Sequence, residues 1–181
     1  RTDGMTLTEM PPRFRALIGI GGNLGDVHAN MQSAISALNH APWTALEGVS
    51  SVYQTKPVDA GGPDYLNAVV AVQSALGPRE LLGLLLDLER QHDRARPYWH
   101  APRTLDLDLL WYGGATSQTD FLTIPHPRML QRAFVLEPLV ELIDHTHWDW
   151  PADLPRPTES QRQFLAQQQG IVKLAATELV I

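Results

Sequence analysis

The stretch Ala101-Pro-Arg-Thr-Leu-Asp-Leu-Asp-Leu-Leu-Trp111 decides how the rest of the chain is read. It alternates as a strand does, and successive strand side chains point to opposite faces. Asp106 and Asp108 therefore share one face, and Leu105, Leu107 and Leu109 share the other. Aspartate is disfavoured in strands, and two carboxylates side by side repel one another. Two readings fit. One is an edge strand whose wet, charged face discourages aggregation. The other is an oxygen site for a divalent cation. Arg103 just before the pair, with more arginines upstream, tips the balance toward a site for a metal and an anion together.

Working outward, the 181 residues suffice for one domain with a real core, and 44% hydrophobic and 19% charged residues describe a soluble globular chain. There is no apolar run of membrane-spanning length and no apolar stretch near the start that reads as a secretory signal. Zero cysteines exclude disulfides, iron–sulfur clusters and thiolate zinc sites, in keeping with an expected cytoplasmic location. The net charge of −6 argues against nucleic-acid binding. Yet seven of the twelve arginines fall between residues 79 and 132, while lysine occurs only at Lys56 and Lys173. An acidic chain with a local arginine cluster suits one small polyanion such as a nucleoside triphosphate, whose phosphate oxygens a guanidinium grips in pairs.

Residues 1–14 read as a flexible tail, 15–155 as the domain and 156–181 as a C-terminal extension. Arg15 to Gly21 reads as a buried strand, followed by a glycine turn, Gly21 to Gly25, and by Asp26 as a helix cap. Val27, Met31, Ala34, Ile35 and Leu38 recur at helical spacing. Leu46 to Thr55 and Tyr65 to Gln73 read as strands. The second places Leu66, Ala68, Val70 and Val72 on one face and Tyr65, Asn67 and Val69 on the other. Gly77-Pro78-Arg79-Glu80 opens a second helix with Leu81, Leu82, Leu85 and Leu88 as its buried stripe. The aspartate strand follows. The order βαββαβ predicts an α+β, ferredoxin-like split βαβ core: an antiparallel sheet with helices packed on one face. A short helix is expected over 131–142, and little order beyond Trp150 apart from a helix at 158–169.

Five segments in this order resemble the 6-hydroxymethyl-7,8-dihydropterin pyrophosphokinase family of folate biosynthesis. They are Gly21 to Leu24, Tyr53-x-Thr55, Asp64-Tyr-Leu-Asn67, Ala101 to Leu110, and Leu122-Thr-Ile-Pro-His126 with Arg132 and Phe134 behind it. The resemblance implies transfer of diphosphate from ATP to the hydroxymethyl oxygen of the pterin, leaving AMP. It also implies two Mg²⁺ ions at Asp106 and Asp108, and catalytic arginines at Arg94 and Arg103. Around ATP it implies Glu89, Arg94, Arg96, Arg103, Thr123, His126 and Arg132. Around the pterin it implies Gly21, Thr55, Val58, Tyr65, Asn67, His100 and Phe134, with the Phe134 ring stacking on the flat bicycle. A monomer is expected, with ATP and the pterin as its only partners and no nucleic acid or membrane.

Several of these residues have plainer roles open to them: a loop histidine between Pro125 and Pro127, a solvated helix-face Glu89, sheet packing for Tyr65 and Asn67. The chain also departs from the family pattern. A basic residue, Trp and then Gly-Pro-Arg usually precede the aspartates, whereas here Trp99-His100-Ala101-Pro102-Arg103 stands there. No Gly-x-x-x-x-Gly-Lys phosphate loop occurs. His145-x-His147 has no evident third ligand and reads as a surface turn. A different metal-dependent nucleotidyltransferase and a non-catalytic pterin or nucleotide binder are the alternatives.

Overall fold

The computed structural model describes residues 11–57, 62–92, 104–174 and 178–181. Strand β1 (Phe14–Gly22) leads into helix α1 (Val27–His40), whose first turn is capped by the Asp26 carboxylate accepting from the Ala29 N–H at 3.1 Å. Next come β2 (Thr44–Val49), β3 (Val52–Thr55), β4 (Tyr65–Ser74), α2 (Pro78–His92) and β5 (Asp106–Tyr112). A small hairpin, β6 (Ser117–Gln118) and β7 (Thr123–Ile124), then leads through a 3-10 turn (Met129–Gln131) to α3 (Ala133–Asp144). The described chain closes with α4 (Glu159–Gln169), β8 (Val172–Leu174) and residues 178–181.

The main sheet runs β5-β1-β4-β3-β8, with β2 also pairing β4, and every pairing is antiparallel. Since β1 lies between β4 and β5, and β4 between β1 and the β2/β3 strand, both helical crossovers straddle a strand. That is the expected split βαβ topology.

The expected single strand from Leu46 to Thr55 is two strands. At the break, the Ser50 hydroxyl rather than a strand carbonyl accepts the Val69 N–H at 2.9 Å, and the Ser51 N–H leaves the sheet for the Glu141 carboxylate at 3.0 Å. The two core helices share one face, as expected, and α3 covers the other. Ile18, Ile20, Val70, Val72 and Leu107 pack under α1 and α2, whereas Leu17, Val69, Ala71 and Leu110 pack under α3. Sequence periodicity shows that α3 is amphipathic, not which side of the sheet it covers.

The segment beyond Trp150 is more ordered than expected. Helix α4 begins with a reciprocal cap between Thr158 and Gln161 and packs on α3. Strand β8 pairs with β3, and Leu179 is buried in the α1-side core. Gln32 exchanges two hydrogen bonds with the backbone of Val180, at 2.6 and 2.8 Å. A three-residue strand has too little pattern to be read before its partner is known.

Candidate active site

The two aspartates lie as the alternation requires. In register across the sheet, Asp106 stands beside Gly21 and Asp108 beside Gly19, while Leu105, Leu107 and Leu109 are buried in the opposite core. Gly21 is also paired with Asn67, and Asn67 with Tyr53. One row on one face therefore reads Tyr53, Asn67, Gly21, Asp106 across four strands. Thr55 and Tyr65 pair one step further along the same face. The glycines place no side chain between the Asn67 amide and the carboxylates. Gly21 is required there: a Cβ would lie 2.4 Å from the Asn67 Oδ1 and 2.5 Å from the Leu66 carbonyl oxygen.

A second wall comes from the segment after β7. The His126 N–H donates to the Leu110 carbonyl of β5 at 2.7 Å, which ties this loop to the aspartate strand. The Arg128 N–H donates to the His126 Nδ1 at 3.2 Å, so the neutral ring carries its proton on Nε2. Burial holds the His126 pKa below its ordinary value, and Arg132 and Arg128 push the same way, with Asp106 opposing them. The Arg132 guanidinium lies over the Phe134 ring, 5.5 Å from its centre. Phe134 is half-buried at the start of α3. Thr123 lies on β7, exposed, with its hydroxyl donated to the Thr119 carbonyl within the hairpin.

Glu89 is not a solvated helix-face acid. It is only 9% exposed, and its carboxylate accepts the Leu107 N–H at 3.0 Å, holding β5 at the residue between the two aspartates. Arg94, Arg96, Arg103, His100 and Val58 lie outside the described residues, as does the Trp99-His100-Ala101 run. His145 and His147 are exposed just after α3, and no cluster of three or more potential metal ligands exists among the described residues.

Two residues with no role assigned from sequence belong to this face. Arg128 supports His126, as described. Tyr53 adjoins Asn67, and its hydroxyl donates to the Glu141 carboxylate of α3. The signal for Tyr53 was its place in the Tyr-x-Thr segment, two residues before Thr55; its partner on a distant helix left none. An open depression of about 470 Å³ at the same end of the sheet, lined by Asn23, Asp26, His28, Gln54 and Asp64, opens instead on the α1 side.

A pair of carboxylates fits a hard divalent cation whose remaining ligands are water and substrate oxygens, as Mg²⁺ in nucleotide enzymes usually has. Carboxylates on one side, an imidazole and arginines on another, and an amide beside an aromatic ring on a third can hold a metal-bound polyphosphate next to a flat heterocycle.

Residues 17–144 match the family described as 7,8-dihydro-6-hydroxymethylpterin-pyrophosphokinase (HPPK). The chain belongs to this family. It is 43% identical over 136 residues to the 2-amino-4-hydroxy-6-hydroxymethyldihydropteridine pyrophosphokinase of Synechocystis sp., covering 75% of this chain and 70% of that one. To the enzyme of the same name from Bacillus subtilis it is 38% identical over 128 residues, covering 70% of this chain and 77% of that one. Among solved structures, HPPK-DHPS in complex with substrates superposes with a TM-score of 0.63 at 12% identity, over 87% of this chain. Wild-type Plasmodium falciparum HPPK-DHPS with pteroate gives 0.62 at 11% identity over 90%. These two share the fold, and this chain spans 44% and 45% of their lengths. No helix among the described residues is long and apolar enough to cross a membrane.

The Glu141 network gives a pH prediction. Burial pushes the Glu141 pKa up, but hydrogen bonds from the Ser51 hydroxyl, the Tyr53 hydroxyl and the Ser51 N–H, with the Lys173 charge, outweigh it, and the net shift is downward from 4.5. A carboxyl group lowered in the folded state contributes stability that is fully present above its unfolded pKa and lost as pH falls through its folded one. Glu141→Gln should therefore flatten the fall in stability below about pH 4.5. Thermal melts of both proteins between pH 3 and 7 check this; parallel acid limbs would contradict it.

Proposed function

We infer that the chain transfers the diphosphate of ATP to the hydroxymethyl group of 6-hydroxymethyl-7,8-dihydropterin, giving AMP and the pterin diphosphate for folate biosynthesis. The observation that carries this reading is the row Asn67, Gly21, Asp106, which joins a heterocycle-reading amide to a metal-type acid across three paired strands with no side chain between them. Family membership supplies the reaction class, and the row suits its two substrates.

Asp106 and Asp108 would hold two Mg²⁺ ions, which when bound neutralise the triphosphate and polarise the phosphorus under attack. The pterin oxygen attacks the β-phosphorus, the bond from that phosphorus to the oxygen it shares with the α-phosphate breaks, and AMP departs with that oxygen. The hydroxyl proton passes to solvent as the new O–P bond forms. The protein's own contribution is positioning and charge complementarity. His126 donates its Nε2–H to a phosphate oxygen without adding a charge. Arg132, Arg94, Arg96 and Arg103 complement the phosphate anion, Arg94 and Arg103 as the catalytic pair, and Thr123 borders the nucleotide. Glu89 serves ATP through β5, by fixing Leu107 between the metal-binding acids. Asn67 reads the amide-like edge of the pterin with both halves of its side chain. Phe134 stacks on the ring, and Gly21, Thr55, Val58, Tyr65 and His100 complete the pocket.

Incubation with ATP, Mg²⁺ and 6-hydroxymethyl-7,8-dihydropterin should release one AMP per pterin diphosphate formed. Release of inorganic pyrophosphate would instead mark a nucleotidyltransferase, and binding of both substrates with neither product would mark a binder.

A further inference from the structure

We propose that Glu141 is a positioning residue for the pterin half of the site, fixing the separation between the strand that carries Thr55 and the helix that carries Phe134. This rests on the pterin location given above. Glu141 follows Phe134 on α3 by two helical turns, so the two lie along one stripe of the helix. Both of its oxygens are engaged with the strand side. Oε1 accepts the Ser51 N–H at 3.0 Å and the Ser51 hydroxyl at 2.6 Å, and Oε2 accepts the Tyr53 hydroxyl. Ser51 is the break before β3. Tyr53 and Thr55 follow on one face of that strand, paired with Asn67 and Tyr65. One carboxylate thus ties α3 to the strand pair that forms the pterin wall.

The choice of an acid here is informative. The Glu141 side chain is only 15% exposed, and a well-packed apolar side chain commonly stabilises such a site as well as a buried ion does. An apolar contact is non-directional, whereas three hydrogen bonds to one carboxylate fix both distance and angle. A stacking ring on the helix and an amide on the strand need that geometry held before the ligand arrives. Lys173 of β8 approaches Oε1 at 3.7 Å but is half exposed, so it adds little. The Arg162 guanidinium of α4 grips Glu137 of α3 through two contacts of 3.2 Å. The segment beyond residue 144, outside the matched family region, therefore braces the same helix, while its β8 covers the edge of β3.

The test compares Glu141→Ala, Glu141→Gln, Tyr53→Phe and Asn67→Ala with the parent protein. Two dissociation constants are read for each: that of a nonhydrolysable ATP analogue with Mg²⁺, and that of the dihydropterin at saturating analogue. Glu141→Ala should weaken the pterin roughly tenfold, and Tyr53→Phe by a smaller factor, with analogue affinity within about twofold of the parent. Glu141→Gln should recover part of the loss, because its amide oxygen still accepts the Ser51 N–H. Equal weakening of both ligands, or unchanged pterin affinity, would overturn the proposal. Should Glu141→Ala fail to fold, Tyr53→Phe, which keeps the ring and its packing, decides alone. If Asn67→Ala weakens the pterin and the Glu141 and Tyr53 variants do not, only the positioning role fails. If Asn67→Ala also leaves pterin affinity intact, the pterin location fails with it.

Discussion

Asp106→Asn and Asp108→Asn should each lower the rate of AMP formation by roughly a thousandfold, equivalent to about 4 kcal/mol of transition-state stabilisation. The side chains keep their volume and lose only the charge that a divalent cation needs. The fold should not suffer. Asparagine keeps the volume and much of the hydrogen-bonding capacity of each side chain at its place in the register, so the melting temperature without metal should change little. Initial rates at saturating ATP and pterin, with Mg²⁺ varied, check this. Full turnover in either variant would refute the assignment of the pair as the metal site. Loss of activity together with a large fall in melting temperature would point to a structural role instead.

Gly21→Ala should damage the site from the other side. The new methyl group would stand 2.5 Å from the Leu66 carbonyl oxygen, which is backbone and cannot rotate away, and 2.4 Å from the Asn67 Oδ1. Relief requires β1 and β4 to part or Asn67 to swing off its strand face. Overpacking of this kind costs about 1–3 kcal/mol, or roughly 5 °C in melting temperature for a chain of this size. Since the displaced side chain is the one proposed to read the pterin, the pterin KM should rise by roughly tenfold or more. Gly25→Ala separates this from a generic glycine effect: Gly25 has a positive φ of 74° but open space around it, so that variant should lose stability without a selective loss of pterin affinity. Matching kinetic profiles for the two variants would contradict the special role of Gly21.

The site was legible in unequal parts. The alternation through Leu105 to Leu109 placed the aspartates on one face with no further information, because strand period is a property of the backbone. The same reasoning placed Tyr65 and Asn67 together and away from Ala68, Val70 and Val72, as the two cores confirm. It did not show what Glu89 holds: a glutamate on a helix face looks solvated until an edge strand is known to offer it an N–H. It read the 46–55 segment as continuous, because the Ser50 hydroxyl that interrupts the ladder imitates a backbone acceptor. It also left Tyr53 and Glu141 without roles, since 88 residues separate partners that meet only when α3 crosses the sheet.

From its own residues the chain determined the two backbone periods, the caps and turns, and hence which side chains share a face, since these depend on neighbours a few positions apart. Tertiary structure alone decided which faces meet: that a glycine of β1 separates Asn67 from Asp106, that α3 lies opposite α1 and α2, and that β8 covers the edge of β3. Register between distant strands is chosen by burying both apolar faces of the sheet at once, a condition on the whole chain that no local window contains.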